Sequence, residues 1–375
     1  MALVNTYDVL IIGGGLAGLT TALHLSKHPC RVLLIEKYTY PNHKVCGEYV
    51  SNEVLPYLRN LGVDPLEHGA QSIMKFEISN KNGAIIRTEL PLGGFGISRY
   101  TFDDLLFKAL IDKVEVVFDT VEGIEFHTNL FKVTTQTKKS FEAEFVVGAF
   151  GKRSNLDTFM RRKFILKPSP WLAVKAHYEY NFPNDTVALH NFDGGYCGLS
   201  MTEMNVVNAC YLVTYKSFKR FGNIPVFQKQ VVSQNPYLED FFREAKPLFP
   251  KPLTISQISF DSKQAVENHV FMIGDSAGLI HPLCGNGMSM AIHSAKLFCE
   301  IYLKAYKKGS IDRKQLENDY MCIWTEAFSK RLKTGRRIQT MLLHPGISAI
   351  GFSMVKLFPS IVSKLIKKTH GEPLS

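Results

Sequence analysis

The chain of 375 residues has no uninterrupted apolar run approaching the roughly 18 residues of a membrane-spanning helix; its longest candidates break at Gly, Pro or Lys. It has no CxxC pair. Its seven cysteines (Cys30, Cys46, Cys197, Cys210, Cys284, Cys299 and Cys322) are odd in number and dispersed, which argues against structural zinc and fits a reducing, cytoplasmic setting. The N-terminus lacks the basic region of a signal peptide, and Asp8 stands just ahead of its apolar run, so that run is expected to be a first strand. Internal repeats, low-complexity tracts and a long flexible linker are missing too. What remains is an ordinary globular composition, 45% hydrophobic and 21% charged, with length for about two domains and a large core.

Negative charge is also in deficit. Forty-four Lys and Arg face 34 Asp and Glu, a net charge of +10. From Glu300 onward 14 Lys and Arg stand against 6 Asp and Glu, so the last fifth of the chain holds most of the excess. A solvated helical surface accounts for this, and so does attraction to an anionic membrane or an acidic partner. Phe358, Ile361, Val362, Leu365 and Ile366 share one helical stripe beside Lys364, Lys367 and Lys368, which suits core packing or peripheral membrane contact. No recognisable binding module accompanies the charge, so no nucleic-acid partner is expected.

The most informative stretch is residues 8–36. Val9–Ile12 reads as a buried strand and leads into Gly13, Gly15 and Gly18 in G-x-G-x-x-G spacing. Leu16–Leu25 reads as a helix, and Arg31–Ile35 as a second strand ending at Glu36. Gly13 permits a tight turn, Gly15 lets a pyrophosphate approach the backbone, and Gly18 allows close helix packing. The helix N-terminus faces phosphate charge, and the Glu36 carboxylate can accept hydrogen bonds from a ribose hydroxyl. A lone glycine pattern is weak evidence of a dinucleotide site; the complete strand–helix–strand–acid unit is much stronger.

Further along, Ser51–Leu61 reads as a helix, and Ile73–Leu90 as strands turning at Lys81-Asn82-Gly83. Thr101 is expected to cap a helix over Phe102–Lys113, with Asp104 completing a weaker capping box. Val114–Phe118, Gly123–Thr128, Lys132–Gln136 and Phe141–Val147 read as strands. Between about 165 and 260, Leu172–Tyr180, Thr186–Asn191, Gly195–Thr202, Val206–Thr214 and Leu253–Ser259 give an antiparallel sheet with no obvious chemistry of its own. A nucleotide-type segment then returns at Val270–Met288, VFMIGDSAGLIHPLCGNGM. Asp275, at the end of its strand, suits a polyol hydroxyl, while Gly285 and Gly287 can present N–H groups at a helix start near Met288. From Asp312 onward the pattern is helical, with breaks at His344-Pro345-Gly346 and Pro359. The expected fold is α/β: a doubly wound cofactor domain (1–72, 98–164 and 261–305), an inserted antiparallel substrate sheet (73–97 and 165–260) and a helical C-terminal region (306–375). A ligand cleft is expected between the first two.

These motifs together, with Ile97-Ser98-Arg99 and the spacing to Asp103, resemble FAD-dependent enzymes of the aromatic-hydroxylase and geranylgeranyl-reductase superfamily. The resemblance spans roughly the first 300 residues and is specific at superfamily level. It implies that Glu36 binds the adenosine ribose, Arg99 the phosphate or ribityl region, and Asp275 (after Gly274) a ribose or ribityl hydroxyl. Gly285, Gly287 and Met288 would lie along the pyrimidine side of the flavin. Leu16, Ala17 and Lys37 complete the expected cofactor-binding set. Lys44-Val45-Cys46-Gly47-Glu48 resembles a segment that passes close to flavin and substrate in the reductase group, making Cys46 a candidate proton donor, with a buried structural thiol as its alternative. Glu48 is expected at the surface or in a hydrogen bond, and His281 near the flavin or as a structural histidine.

Departures from the family pattern matter as well. Phe150-Gly151 stands where aromatic hydroxylases carry Asp-Gly, which puts conventional NAD(P)H handling in question; the electron donor is NAD(P)H or a reduced carrier protein. Tyr196 alone is retained from the reductases' substrate motif, and the Trp-x-Trp-x-Ile-Pro run of flavin halogenases is absent. The implied function is an FAD oxidoreductase reducing C=C bonds of a hydrophobic, prenyl- or polyene-like molecule. A monooxygenase acting on an aromatic or polyketide-like substrate is the alternative, and a membrane-associated flavin electron carrier is the non-enzyme reading.

Overall fold

A computed structural model describes residues 6–281, 285–343, 366–367 and 370–375. The first sheet begins with β1 (Thr6–Ile12), continues through α1 (Leu16–Leu25), and adds β2 (Val32–Glu36) in parallel register, Val9 opposite Val32 and Ile12 opposite Ile35. Every residue of β2 is buried, as expected of a parallel strand covered on both faces. The chain then leaves this sheet. Residues of β3 (Tyr49–Ser51), expected within the cofactor half, pair instead with the second sheet. After α2 (Leu55–Leu61), β4 (Gln71–Ser79) and β5 (Ile85–Gly96) form a hairpin whose turn uses Gly83 at φ +83°.

Helix α3 (Arg99–Leu110) starts three residues before the sequence expectation. Its cap is Ser98, whose hydroxyl accepts from the Thr101 N–H, so Thr101 lies inside the helix. The carboxylate of Glu203 decides this shift, because it accepts from the Ser98 N–H and hydroxyl and from the Thr101 hydroxyl. The chain returns to the first sheet as β6 (Glu115–Phe118), β7 (Val121–His127), β8 (Leu130–Thr135) and β9 (Ser140–Gly148). Strand β9 pairs parallel to β1, Ile12 opposite Gly148.

After the short α4 (Asn155–Phe159), the second sheet is completed by β10 (Trp171–Glu179), β11 (Thr186–Phe192), β12 (Gly195–Met201) and β13 (Val207–Thr214). Helices α5 (Tyr215–Lys219), α6 (Ile224–Gln230) and α7 (Pro236–Glu244) follow, then β14 (Lys246–Pro247) and β15 (Leu253–Ser256), both paired with β10. The order is β14-β10-β13-β12-β11-β4-β5-β3. One junction, β4 with β11, is parallel, so residues 71–96 and 171–256 share a mixed sheet. Its outer side chains, among them Val174, Tyr178, Tyr211 and Val213, form a core with Phe227, Leu238 and Phe241 of α6 and α7. Strands β16 (Val266–Glu267) and β17 (Val270–Met272) then extend the first sheet beside β9. Helix α8 (Gly287–Tyr306) packs on α1, and α9 (Arg313–Leu343) packs on α8.

Most of the basic apolar stripe, namely Phe358, Ile361, Val362, Lys364, Leu365 and Lys368, lies outside the described residues, as do His344-Pro345-Gly346, Pro282 and Cys284. Of the two members that are described, Ile366 packs beside the Tyr49–Ile73–Leu90–Val187 cluster and Lys367 is exposed.

Candidate cofactor and substrate cavity

The turn after β1 is fixed by close packing. Gly13 adopts φ +104°, and a Cβ there would stand 2.5 Å from the Ala149 carbonyl oxygen; one on Gly18 would stand 1.9 Å from that of Gly13. These two glycines let helix, turn and β9 meet. Gly15 differs: its backbone is extended, and the nearest atom to an added Cβ is the Arg99 guanidinium at 3.6 Å. It therefore faces open space. No side chain caps α1, so its first N–H groups remain available to an anion at that point.

Glu36 is buried at the end of β2, where its carboxylate accepts from the Gly14 N–H at 2.5 Å and the Tyr38 N–H at 3.1 Å. Each oxygen keeps acceptor capacity for a hydroxyl. Arg99 forms a two-pronged ion pair with Asp103, 2.7 Å on both contacts, and Lys44 reaches the same carboxylate at 2.8 Å. Burial works against the Arg99 charge, but Asp103 outweighs it and raises the pKa. The Asp103 carboxyl is pushed up by burial and pulled further down by Arg99 and Lys44, so it stays ionised.

One cavity of about 960 Å³ joins these groups. Its wall contains Gly13, Gly15, Leu16, Ala17, Glu36, Lys37, Cys46, Arg99, Gly274, Asp275, Gly285, Gly287 and Met288, so the structure brings them together, whereas Gly18 packs behind the wall. Gly274 and Gly285 adopt φ +57° and +63°, conformations that favour glycine. Buried Arg162 supports the Gly274–Ser276 turn by donating to the Ser276 carbonyl at 2.9 Å while pairing with Asp157 at 2.8 Å and Glu267 at 2.6 Å. The open space before Gly15, the uncapped α1 terminus, the acceptor Glu36 and the cation Arg99 suit a dinucleotide diphosphate with its ribose, and FAD fits this donor set.

A further part of the wall is apolar. Phe76, Ile78, Val187, Leu189, Leu212 and Ile255 face it from the second sheet. His281 is absent from the wall. It is buried against Trp171 and Phe260, and burial pulls its pKa down to about 3, which fits the structural role.

Glu48, expected at the surface or in a hydrogen bond, takes the second course: it is fully buried, lies at φ +55° and accepts from Lys175 Nζ at 2.5 Å, from the Arg99 N–H at 2.7 Å and from His177 at 2.7 Å. Burial alone would raise its pKa, but Lys175 and His177 lower it. Three residues around it, Lys175, His177 and His43, escaped the sequence reading. Lys175 and His177 come from β10, so the sheet read as lacking chemistry carries a charged cluster. The available signal was their i, i+2 spacing in an otherwise apolar strand. His43 lies 5.1 Å from His177, centroid to centroid, and burial first, then Lys175, lower its pKa to about 4.

Comparisons with known proteins agree with this architecture. A family model described as FAD dependent oxidoreductase matches residues 8–46. Digeranylgeranylglycerophospholipid reductase of Methanococcus vannielii is 22% identical over 357 residues, covering 91% of this chain and 88% of its own. Conditioned medium factor receptor 1 of Dictyostelium discoideum is 23% identical over 357 residues, covering 86% of this chain and 68% of that protein. The solved structure of the flavin-dependent brominase Bmp2 superposes with a TM-score of 0.78 at 18% identity, covering 97% of this chain and 93% of that one.

Proposed function

We propose that this FAD-dependent oxidoreductase, which resembles such reductases, reduces C=C bonds of a hydrophobic, prenyl- or polyene-like molecule. The apolar wall formed by Phe76, Ile78, Val187, Leu189 and Leu212, in one cavity with the dinucleotide-binding groups, carries this reading. Gly13, Gly15, Glu36 and Arg99 would hold FAD, whose chemistry would be hydride transfer to one alkene carbon. The chain's own residues do the rest. The sheet excludes water and orients the apolar chain, and Cys46, in the cavity wall, is the candidate donor of the proton to the other carbon, with water restoring the thiol. The donor of electrons is NAD(P)H or a reduced carrier protein; Phe150 offers no side-chain acceptor at its position, which favours the carrier.

The test is to reduce FAD-loaded protein without oxygen and add polyprenyl lipids. Two hydrogens should be gained per double bond, and Cys46→Ser should retain FAD while slowing turnover. Incorporation of labelled dioxygen into an aromatic substrate, with no alkene reduction, would replace this reading with monooxygenation. Electron transfer with neither product would support the carrier alternative.

A lipid-like substrate also suits peripheral contact with an anionic membrane through Lys364, Lys367 and Lys368. Among the described residues no helix is long and apolar enough to cross a membrane. Salt-sensitive sedimentation with anionic but not neutral vesicles is expected; equal, negligible pelleting with both would refute the contact.

A further inference from the structure

Lys175 has no solvent exposure and sits in the middle of β10, a strand buried from Trp171 to Tyr178. Its sequence neighbours Val174 and Ala176 face the apolar core on the other side of the sheet. A buried ion pair is seldom more stable than apolar residues of similar volume, so burial alone gives no reason for an ammonium here. The partner, Glu48, ends the loop that crosses from the first sheet to β3, so the pair ties that loop to the second sheet.

The loop's main-chain carbonyls show what is being held. That of Lys44 accepts from Lys175 Nζ at 3.3 Å, and that of Val45 from Lys152 Nζ at 3.1 Å. That of Cys46 accepts from Asn208 Nδ2 at 3.2 Å, and that of Gly47 from Ser200 Oγ at 3.1 Å. Glu48 follows, with its carbonyl accepting from the Ile97 N–H at 3.2 Å. Four successive carbonyls are thus taken by side chains, three of them from the inner face of the second sheet. Those three come from adjoining rows: Asn208 is the cross-strand neighbour of both His177 and Ser200, and Cys210 stands likewise between Lys175 and Gly198 in the next row. The left-handed backbone of Glu48, unfavourable for a non-glycine residue, persists only where its surroundings over-determine it.

We infer that Lys175 is a positioning residue that acts with Asn208 and Ser200 to fix the Lys44–Glu48 loop, and so the Cys46 thiol, in the cavity wall. The next row of the same strands, Ala173, Leu212 and Tyr196, lines the apolar part of the cavity. The surface offered to an apolar ligand and the loop carrying Cys46 therefore share one rigid support. This inference concerns the loop itself and stands independently of the reaction proposed above.

Alkylation of the full-length protein by iodoacetamide, followed cysteine by cysteine with peptide mass mapping, tests it without substrate. The double substitution Lys175→Met with Glu48→Gln removes the pair without leaving a lone buried charge. It should accelerate Cys46 alkylation by at least about ten-fold, as expected on losing a charged hydrogen bond, while Cys30 and Cys322 keep their rates. Ser200→Ala should give a smaller rise at Cys46, and Ser200→Thr, which keeps the hydroxyl, should restore the wild-type rate. If the double variant does not fold, the Ser200 pair decides. An unchanged Cys46 rate, or equal acceleration at all three cysteines, would overturn the positioning role.

Discussion

Two glycines three residues apart should fail in opposite ways when given a side chain. A Cβ on Gly18 would stand 1.9 Å from the Gly13 carbonyl oxygen and 3.3 Å from the Ala149 Cβ, so α1 must move off β1. Overpacking of this kind costs about 1–3 kcal/mol, occasionally more. That is a substantial part of the roughly 5–15 kcal/mol that holds a typical protein folded. A Cβ on Gly15 meets nothing closer than Arg99 at 3.6 Å, and the backbone there already suits any residue. Gly15→Val should therefore change apoprotein stability by no more than about 0.5 kcal/mol. Its side chain nevertheless fills the space between the α1 terminus and Arg99, where the diphosphate belongs. Losing two charge-assisted hydrogen bonds, at about 1.5–3 kcal/mol each, weakens FAD by roughly two to four orders of magnitude. Thermal melting of the apoproteins and flavin-fluorescence titration separate the effects: Gly18→Ala lowers the melting temperature, and Gly15→Val lowers affinity alone. Wild-type affinity in Gly15→Val would refute the placement of the diphosphate, and wild-type melting in Gly18→Ala would refute the packing argument.

Glu36→Arg should weaken FAD in the same titration, because a ribose acceptor is lost and the Gly14 and Tyr38 N–H groups lose theirs; unchanged affinity would show that Glu36 does not hold the ribose. Arg162→Met should cost about 3–5 kcal/mol in denaturant unfolding, since it strands the buried Asp157 carboxylate, and adding Asp157→Asn should recover part of the loss. Stability should also fall in mild acid. Burial depresses the pKa of His190 to about 4 and of His281 to about 3, from an ordinary 6.5. The unfolded chain then binds protons that the folded chain refuses, so this stability is complete above the ordinary value and is lost as pH falls through the depressed ones. The slope is roughly 1.4 kcal/mol per pH unit for each such histidine. Urea midpoints measured between neutral pH and pH 5 should drop, and less steeply in His190→Gln; identical slopes would count against the buried neutral histidine.

Some of this architecture was legible because local patterns and tertiary demands coincide. Residues 8–36 alternate strand, glycine turn, helix and strand, and each part is determined within a few residues of itself. The strands from Val121 to Gly148 and from Trp171 to Thr214 were legible for the same reason, as apolar runs bounded by turn residues. The start of α3 was not. Thr101 and Ser98 are both good caps locally, and Glu203, about a hundred residues away, selects Ser98.

The sequence by itself determined that a dinucleotide unit exists, which glycines turn it, and which acid ends its second strand, because backbone sterics and short-range spacing act within one βαβ unit. It also marked Cys46, Arg99 and Asp275 as worth attention. Only the tertiary structure decided that β3 leaves the first sheet, and that Ile366 meets the Tyr49 and Leu90 cluster. It alone placed Lys175 and His177 around Glu48. Those two residues alternate correctly for a strand, but periodicity only says that they share a face. Whether that face meets water or a buried carboxylate depends on a loop about 130 residues earlier in the chain. Long-range pairing of this kind leaves no local imprint, and here it sets both the charge and the shape of the cavity wall.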